Sequence, residues 1–227
     1  MSTIGTKRLQ SVELHWPYYG GAWARVSTEI DTVAPGPATL TIGDLVLVGA
    51  ILPDRAGENA PASWSGIWAS GSGWSTVLPP RKDCYQNDDG VHLKTVLGDL
   101  AKDCGGMPIV QPPDRSVGLY WTRPLLGGDR RPWTGRDELA ALARGNYVPS
   151  PYWIDAAGVT RFGPRPTGSV TAAARVTKRD LTRGLRVLGV DSPKAFAPGL
   201  SFENAVISRL VIRETSGGSV TVETWTT

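Results

Sequence analysis

The sequence predicts a mainly β fold of the α+β class, on three observations. Glycine (27 residues) and proline (18) make up about a fifth of the 227-residue chain, a turn density that suits many short strands. Several stretches alternate apolar and polar residues with period two. Only two stretches carry the helical period instead, so two short helices are set among the strands.

Each element follows from its local pattern. Trp23-Ala-Arg-Val-Ser-Thr-Glu-Ile30 nearly alternates, as a half-buried strand does. Pro35-Gly36-Pro37 breaks it, and Ala38 to Leu52 is β-prone, with Gly43-Asp44 either a bulge or a tight turn between two strands. Pro53 to Gly73, rich in Gly, Ala, Ser and Pro, predicts a long loop that carries Trp64 and Trp68. Loops of that length tend to be functional or disordered, and tryptophan argues against disorder. The first helix spans about Val91 to Cys104, with Leu93, Val96, Leu97, Leu100, Ala101 and Cys104 on one face. Asp88 or Asp89 is placed to cap its start and Gly105-Gly106 to stop it. The second runs from Gly135 to Arg144, with Thr134-x-x-Asp137 as a capping box, Leu139, Leu142 and Ala143 inward, and Gly145 at its end.

A proline-containing turn and a β-prone run follow each helix: Met107-Pro-Ile-Val110, and Pro151-Tyr-Trp-Ile154. The two helix-turn-strand units have the form of a degenerate repeat. The second run continues through Asp155-Ala-Ala-Gly158 into Val159-Thr-Arg-Phe162, a hairpin signature. Beyond Gly168 the chain reads β again, ending in a hairpin from Ala205–Ile212 through Ser216-Gly-Gly218 to Val220–Trp225. These shifts divide the chain into an N-terminal β part (1–90), helix-strand units (91–168) and a C-terminal β part (169–227).

The formal charge is +3, and arginine (18) outnumbers lysine (6), which suits bidentate ion pairs at interfaces. The basic pairs Arg130-Arg131 and Lys178-Arg179 sit beside Asp129 and Asp180, a mixed surface rather than the one-signed patch of a nucleic-acid binder. Cys84 and Cys104 form no zinc spacing. Cys104 falls on the helix stripe and is expected to be a buried reduced thiol, with a disulfide to Cys84 as the alternative. The N-terminus lacks a signal-peptide pattern, and no stretch approaches the roughly 18 apolar residues of a spanning helix. The chain is expected to be made in the cytoplasm and used in soluble form.

No serine has the glycines of a nucleophile elbow, no lysine follows glycine as in a P-loop, and Gly71-Ser-Gly73 lacks a third glycine. His15 and His92 are the only histidines. Asp88-Asp89-Gly90 reads as a helix cap and turn rather than a calcium loop, and the remaining carboxylates point to no catalytic dyad. The expectation is a non-enzymatic protein with no catalytic residues, cofactor or metal. Nine tryptophans are the unusual feature, with Trp64, Trp68 and Trp74 close together. They are the candidate interface residues. The alternatives are plugs at the ends of thin β cores and a sugar-stacking platform, as in a carbohydrate-binding β module.

Tyr152-Trp-Ile-Asp155-Ala-Ala-Gly158-Val-Thr-Arg-Phe-Gly163-Pro-Arg-Pro166, preceded by Leu139-Ala-Ala-Leu142-Ala, resembles a segment of bacteriophage tail hub and baseplate proteins. In that segment a short helix leads to an aromatic strand, a tight turn and a second strand ending in Gly-Pro-Arg-Pro. Val96–Ala101 is similar to the preceding helix of the same proteins, and Ala197–Leu200 with Val206–Ile212 to their second barrel. Together these cover about residues 90 to 227. The resemblance implies a tail-hub-like fold of two small barrel-like β parts with two short helices. It also implies a homotrimeric virion component at the tail tip or baseplate, adapting a sixfold tail tube or distal ring to a threefold spike or fibre. The implied partners are further copies of the chain, the tail tube or distal tail protein, the tape measure protein, and the spike or fibre protein.

Overall fold

A computed structural model of the chain describes residues 1–28, 33–52, 57–58, 64–79, 84–110, 114–123, 132–145, 152–215 and 219–226. Two compact units emerge: Met1–Ser70 with Ala156–Gly158 and Arg165–Thr227, and Gly71–Asp155 with Val159–Pro164. These follow spatial contacts, whereas the three-part division above follows composition. The strands of the first third are β1 (Thr3–Ile4), β2 (Lys7–Arg8), β3 (Ser11–Pro17), β4 (Trp23–Thr28), β5 (Gly36–Ile42), β6 (Leu45–Ile51), β7 (Gly57–Glu58) and β8 (Trp64–Ala69). The middle holds β9 (Tyr85–Gln86), α1 (Leu93–Asp103), β10 (Tyr120–Trp121), α2 (Gly135–Arg144), β11 (Tyr152–Ile154) and β12 (Thr160–Phe162). The last part holds β13 (Gly168–Ser169), β14 (Ala174–Asp180), β15 (Leu185–Val190), β16 (Leu200–Phe202), β17 (Ala205–Thr215) and β18 (Val220–Thr226). The described helices, of 11 and 10 residues, leave a mainly β chain.

In the first unit fourteen strands join one sheet, with the path β14-β15-β18-β17-β3-β4-β8-β6-β5-β1-β2; β16 adds to β17, β13 to β16 and β7 to β8. The period-two pattern decides which side chains go inward. Val12, Leu14 and Trp16 of β3, Leu40 and Ile42 of β5, Leu188 of β15, and Leu210 and Ile212 of β17 enter one core. Strands from both halves of the path share that core, so the sheet curls around it. Asp44, in the two-residue turn joining β5 to β6, accepts hydrogen bonds from Ser192 Oγ (2.6 Å) and Lys194 N (3.1 Å), beyond the end of β15. No pairing joins the ends of the path, and among the described residues no sheet closes into a barrel.

The expected loop over Pro53–Gly73 is corrected by β8. Trp64, Gly66 and Trp68 share one parity and point inward, a strand pattern hidden by the small residues around it. A Cβ at Gly66 would collide with the Trp64 indole, and one at Gly49 in β6 would collide with Ala69 O and the Trp68 indole. Glycine at these two points lets large rings lie flat against backbone. Residues 53–56 and 59–63 of the expected loop, Arg130-Arg131, and the Ser216-Gly-Gly218 turn lie outside the described residues. The pairing of β17 with β18 that the turn was expected to join is present.

The second unit packs α1 and α2 around Trp74, Leu93, Leu97, Leu100, Leu139 and Leu142. α2 begins as expected, with the reciprocal Thr134–Asp137 capping box. α1 does not: neither Asp88 nor Asp89 caps it. The N-cap is His92, and Asp114 approaches instead, with His92 Nδ1 at 3.0 Å and Lys94 N at 3.4 Å from its carboxylate. Burial on one side of α1 is as predicted. Cys104 is buried and free, its thiol pushed up to about 12 by loss of solvent, and Cys84 is exposed and free. β11 and β12 form the expected hairpin, with Asp155 Oδ1 accepting from Val159 N at 2.9 Å. Among the described residues no helix is long and apolar enough to cross a membrane.

Candidate assembly surface on the outer sheet face

The same alternation that fills the core of the first unit aims the opposite residues of β4, β3, β17 and β18 outward. Register places Arg25, Glu13 and Arg213 in one cross-strand row, Trp23, His15, Val211 and Glu223 in the next, and Pro17, Arg209 and Trp225 in a third. Rows of this kind usually carry short polar side chains on a solvated face. Here they carry two tryptophans and three arginines.

Their geometry is specific. His15 stacks on Trp23 with ring centroids 4.0 Å apart and planes 5° from parallel. Its Nε2 lies 2.6 Å from Glu13 Oε1. Arg213 Nε donates to Glu13 Oε2 at 2.9 Å, and its Nη1 pairs with Glu223. The donated bonds from Arg213 and His15 hold the Glu13 carboxyl below its ordinary value, and Glu13 in turn raises the Arg213 guanidinium. Val211, in the middle row, is only 1% exposed, covered on what would otherwise be a solvated face. Arg25 lies over Trp23 with its guanidinium carbon 5.9 Å from the ring centre, and Arg209 over Trp225 at 3.8 Å. Neither Arg25 nor Arg209 pairs with a carboxylate among the described residues, so each presents a charge held in place by an aromatic ring.

The expected interface tryptophans lie elsewhere. Trp64 and Trp68 are 6% and 0% exposed in the first unit's core, and Trp68 Nε1 donates to Ala38 O at 2.8 Å. Trp74 is 0% exposed in the second unit's core and donates to Thr160 Oγ1 at 2.7 Å. Buried rings with satisfied or enclosed edges offer no stacking plane, so these three form no sugar platform on the chain as folded. Trp23 and Trp225 were the informative pair. Both sit on the polar parity of an alternating strand, opposite Ala24 and Val26 in β4 and opposite Val222 and Thr224 in β18. Among the described residues no group of three or more His, Cys, Asp or Glu is placed to hold a metal.

No family model and no curated relative matches the sequence. Solved structures do. The tail protein from Neisseria meningitidis MC58 aligns with a TM-score of 0.64 at 10% identity, over 99% of this chain and 94% of that one. The 43 kDa tail protein of prophage MuSo2 from Shewanella oneidensis aligns at 0.58 and 10% identity, over 99% and 96%. The E. coli c3393 protein aligns at 0.57 and 11% identity, over 100% of this chain and 75% of that one. It is a component of the type VI secretion system with structural similarity to the T4 bacteriophage tail proteins gp27 and gp5. Identity this low speaks to architecture alone, and across essentially its whole length this chain has the fold of phage tail proteins, as its resemblance to tail hubs implied.

Proposed function

We propose that this chain is a structural, non-enzymatic component of the tail tip or baseplate of a phage or phage-like particle. In this role it is a homotrimeric hub that adapts a sixfold tail tube or distal ring to a threefold spike or fibre. The observation that carries the reading is the match to tail proteins over 99% of this chain. The outer sheet face supports it: aromatic rings and stacked arginines are the residue types that protein interfaces concentrate. The work of such a part is mechanical. Its partners are other copies of itself, the tube or distal tail protein, the tape measure protein and the spike or fibre protein. Its place is the virion.

The test is the mass of the purified protein by light scattering, alone and with a candidate tube or distal ring protein. Three times the 24.3 kDa subunit is expected. An obligate trimer should bury on the order of 2,000 Å² or more at each interface. A particle reconstruction with copies off the tail axis, one per fibre, would overturn the hub reading.

A further inference from the structure

Two surfaces of this chain complement each other in charge and chemistry. One is the Arg–Trp face described above. Arg25 and Arg209 lie two strands and about four residues apart in register, roughly 17 Å at standard sheet spacings, with Trp23 and Trp225 beneath them. The other surface is in the second unit. β9 pairs with β10, and the backbone ties the following turn to the same place: Asn87 N donates to Leu119 O at 3.0 Å, and Val91 N to Gly118 O at 2.7 Å. This brings the exposed acids Asp88 and Asp89 beside Leu119 and Tyr120, which are 61% and 69% exposed. No cation among the described residues pairs with Asp88 or Asp89. On the first surface Glu13 and Glu223 are taken up by Arg213, while Arg25 and Arg209 rest on aromatic rings with no carboxylate partner among the described residues. On the second, Asp88 and Asp89 stand beside exposed apolar side chains with no cation partner among the described residues.

We infer that these surfaces are the two halves of one heterologous contact, in which the Asp88–Asp89 and Leu119–Tyr120 tip of one copy docks on the Arg209–Trp225 side of the sheet face of the next. Carboxylates reach the stacked guanidinium of Arg209, and Leu119 and Tyr120 cover indole and aliphatic surface around it. An aromatic ring that already fixes the guanidinium reduces the side-chain entropy lost on binding. Because donor and acceptor surfaces differ, the contact runs head to tail and closes only by rotation into a ring. This inference rests on the trimer reading and assigns its interface. A single-stranded nucleic acid is the competing occupant of a basic, aromatic face. A phosphate chain spanning Arg25 and Arg209 would have to cross the rows that hold Glu13 and Glu223, whereas a pair of discrete carboxylates can reach Arg209 at the Trp225 side alone, which favours a protein partner.

Charge reversal tests it. Arg209→Glu and the double variant Asp88→Lys/Asp89→Lys are each compared with the parent by light scattering, after circular dichroism shows that each keeps its fold. The expected result is that each variant alone falls to monomer mass, and that combining the three substitutions in one chain restores trimer mass, because every contact of the ring then carries the reversed pair. A parent trimer whose mass neither variant lowers, or a combined variant that keeps its fold and stays monomeric, overturns this contact and leaves the hub reading standing. A parent that stays monomeric across the accessible concentration range, even with a tube protein present, overturns the hub reading and the contact with it. Binding of a fluorescent oligothymidylate that Arg209→Glu abolishes, with mass unchanged in the Asp88/Asp89 variant, gives the face to nucleic acid and overturns the contact.

Discussion

Arg165 is the third residue of the Gly163–Pro166 string, and the structure gives it a specific task. It is 4% exposed. Its guanidinium donates to Tyr18 O and to Pro17 O (3.1 Å), at the end of β3, and lies over Trp16 with 5.7 Å to the ring centre. A planar fork serves two carbonyls and a ring face at once, which a lysine ammonium cannot do. Arg165→Ala is expected to cost on the order of 2–3 kcal/mol in denaturant unfolding. Arg165→Lys should recover less than half of that loss. A change below about 0.5 kcal/mol in the alanine variant would show the contacts to be incidental. Glu13 supplies a pH dependence. Its folded pKa lies below its ordinary 4.5 because Arg213 and His15 hydrogen-bond the carboxylate. The group therefore stabilises the fold above the unfolded carboxylate pKa, and that stabilisation is lost as pH falls through the lower folded value. Glu13→Gln should be less stable than the parent at neutral pH, with the gap narrowing on acidification below 4.5. A gap that stays constant with pH would mean that charge plays no part.

At the scale of elements, legibility followed how each segment encodes its pattern. Both helices were readable because their stripes use large apolar residues and α2 carries a reciprocal cap. β8 was not, since Gly66 and the serines around it erase the contrast on which alternation depends. The α1 cap was misassigned because Asp114, twenty-two residues from His92, supplies the carboxylate through space. The outer sheet face was not legible by tryptophan number or clustering, which point to Trp64, Trp68 and Trp74 in the cores; the signal that finds Trp23 and Trp225 is parity. Glu138 escaped altogether, because a pattern that tracks apolar residues reads an acid in a helix as solvated. It is 0% exposed and accepts from the indoles of Trp121 and Trp133, both at 2.7 Å, and from Arg123 Nε at 3.3 Å. Arg123, also buried, donates onward to Asp103 of α1 at 3.0 Å. This polar knot ties α2 to β10 and α1. Glu138→Ala removes the fully buried carboxylate that the Arg123 guanidinium and two indoles share, leaving Arg123 only Asp103 and the Pro79 carbonyl, and should cost about 3–5 kcal/mol. That is comparable to the 2–5 kcal/mol expected for truncating the fully buried Leu97 or Leu100. Near-parent denaturation of Glu138→Ala would show that the knot is dispensable.

At the scale of the whole molecule, chain order and spatial order diverge sharply, and this sets an expected order of folding. In the centre of the sheet path β3 pairs with β17 along seven positions, from Arg209↔Pro17 to Thr215↔Ser11. The ion pair of Glu13 with Arg213 spans 200 residues of chain. By contrast, Ile154 and Thr160 of the β11–β12 hairpin pair across a short turn, and α1 and α2 form from local bonds. Loop-closure entropy grows with the logarithm of length, so joining β3 to β17 costs about 3 kcal/mol more in chain entropy than closing that hairpin. The N-terminal strands cannot complete their core until the C-terminal strands arrive, because β17 separates β3 from β18 and β15 in the path. During refolding, pulsed hydrogen exchange should therefore show protection at the Leu97 and Leu100 amides before protection at Leu14 and Ile212. Simultaneous protection of all four would mean that the sheet and the helices form in one step, and the closure argument would not govern the order. Earlier protection at Leu14 and Ile212 would reverse it. Long-range closure of this kind slows folding and leaves strand edges open meanwhile. If the order holds, the time between the two phases is when the half-built sheet is most exposed to pairing with other chains, and aggregation during refolding should rise with concentration until the Ile212 amide is protected.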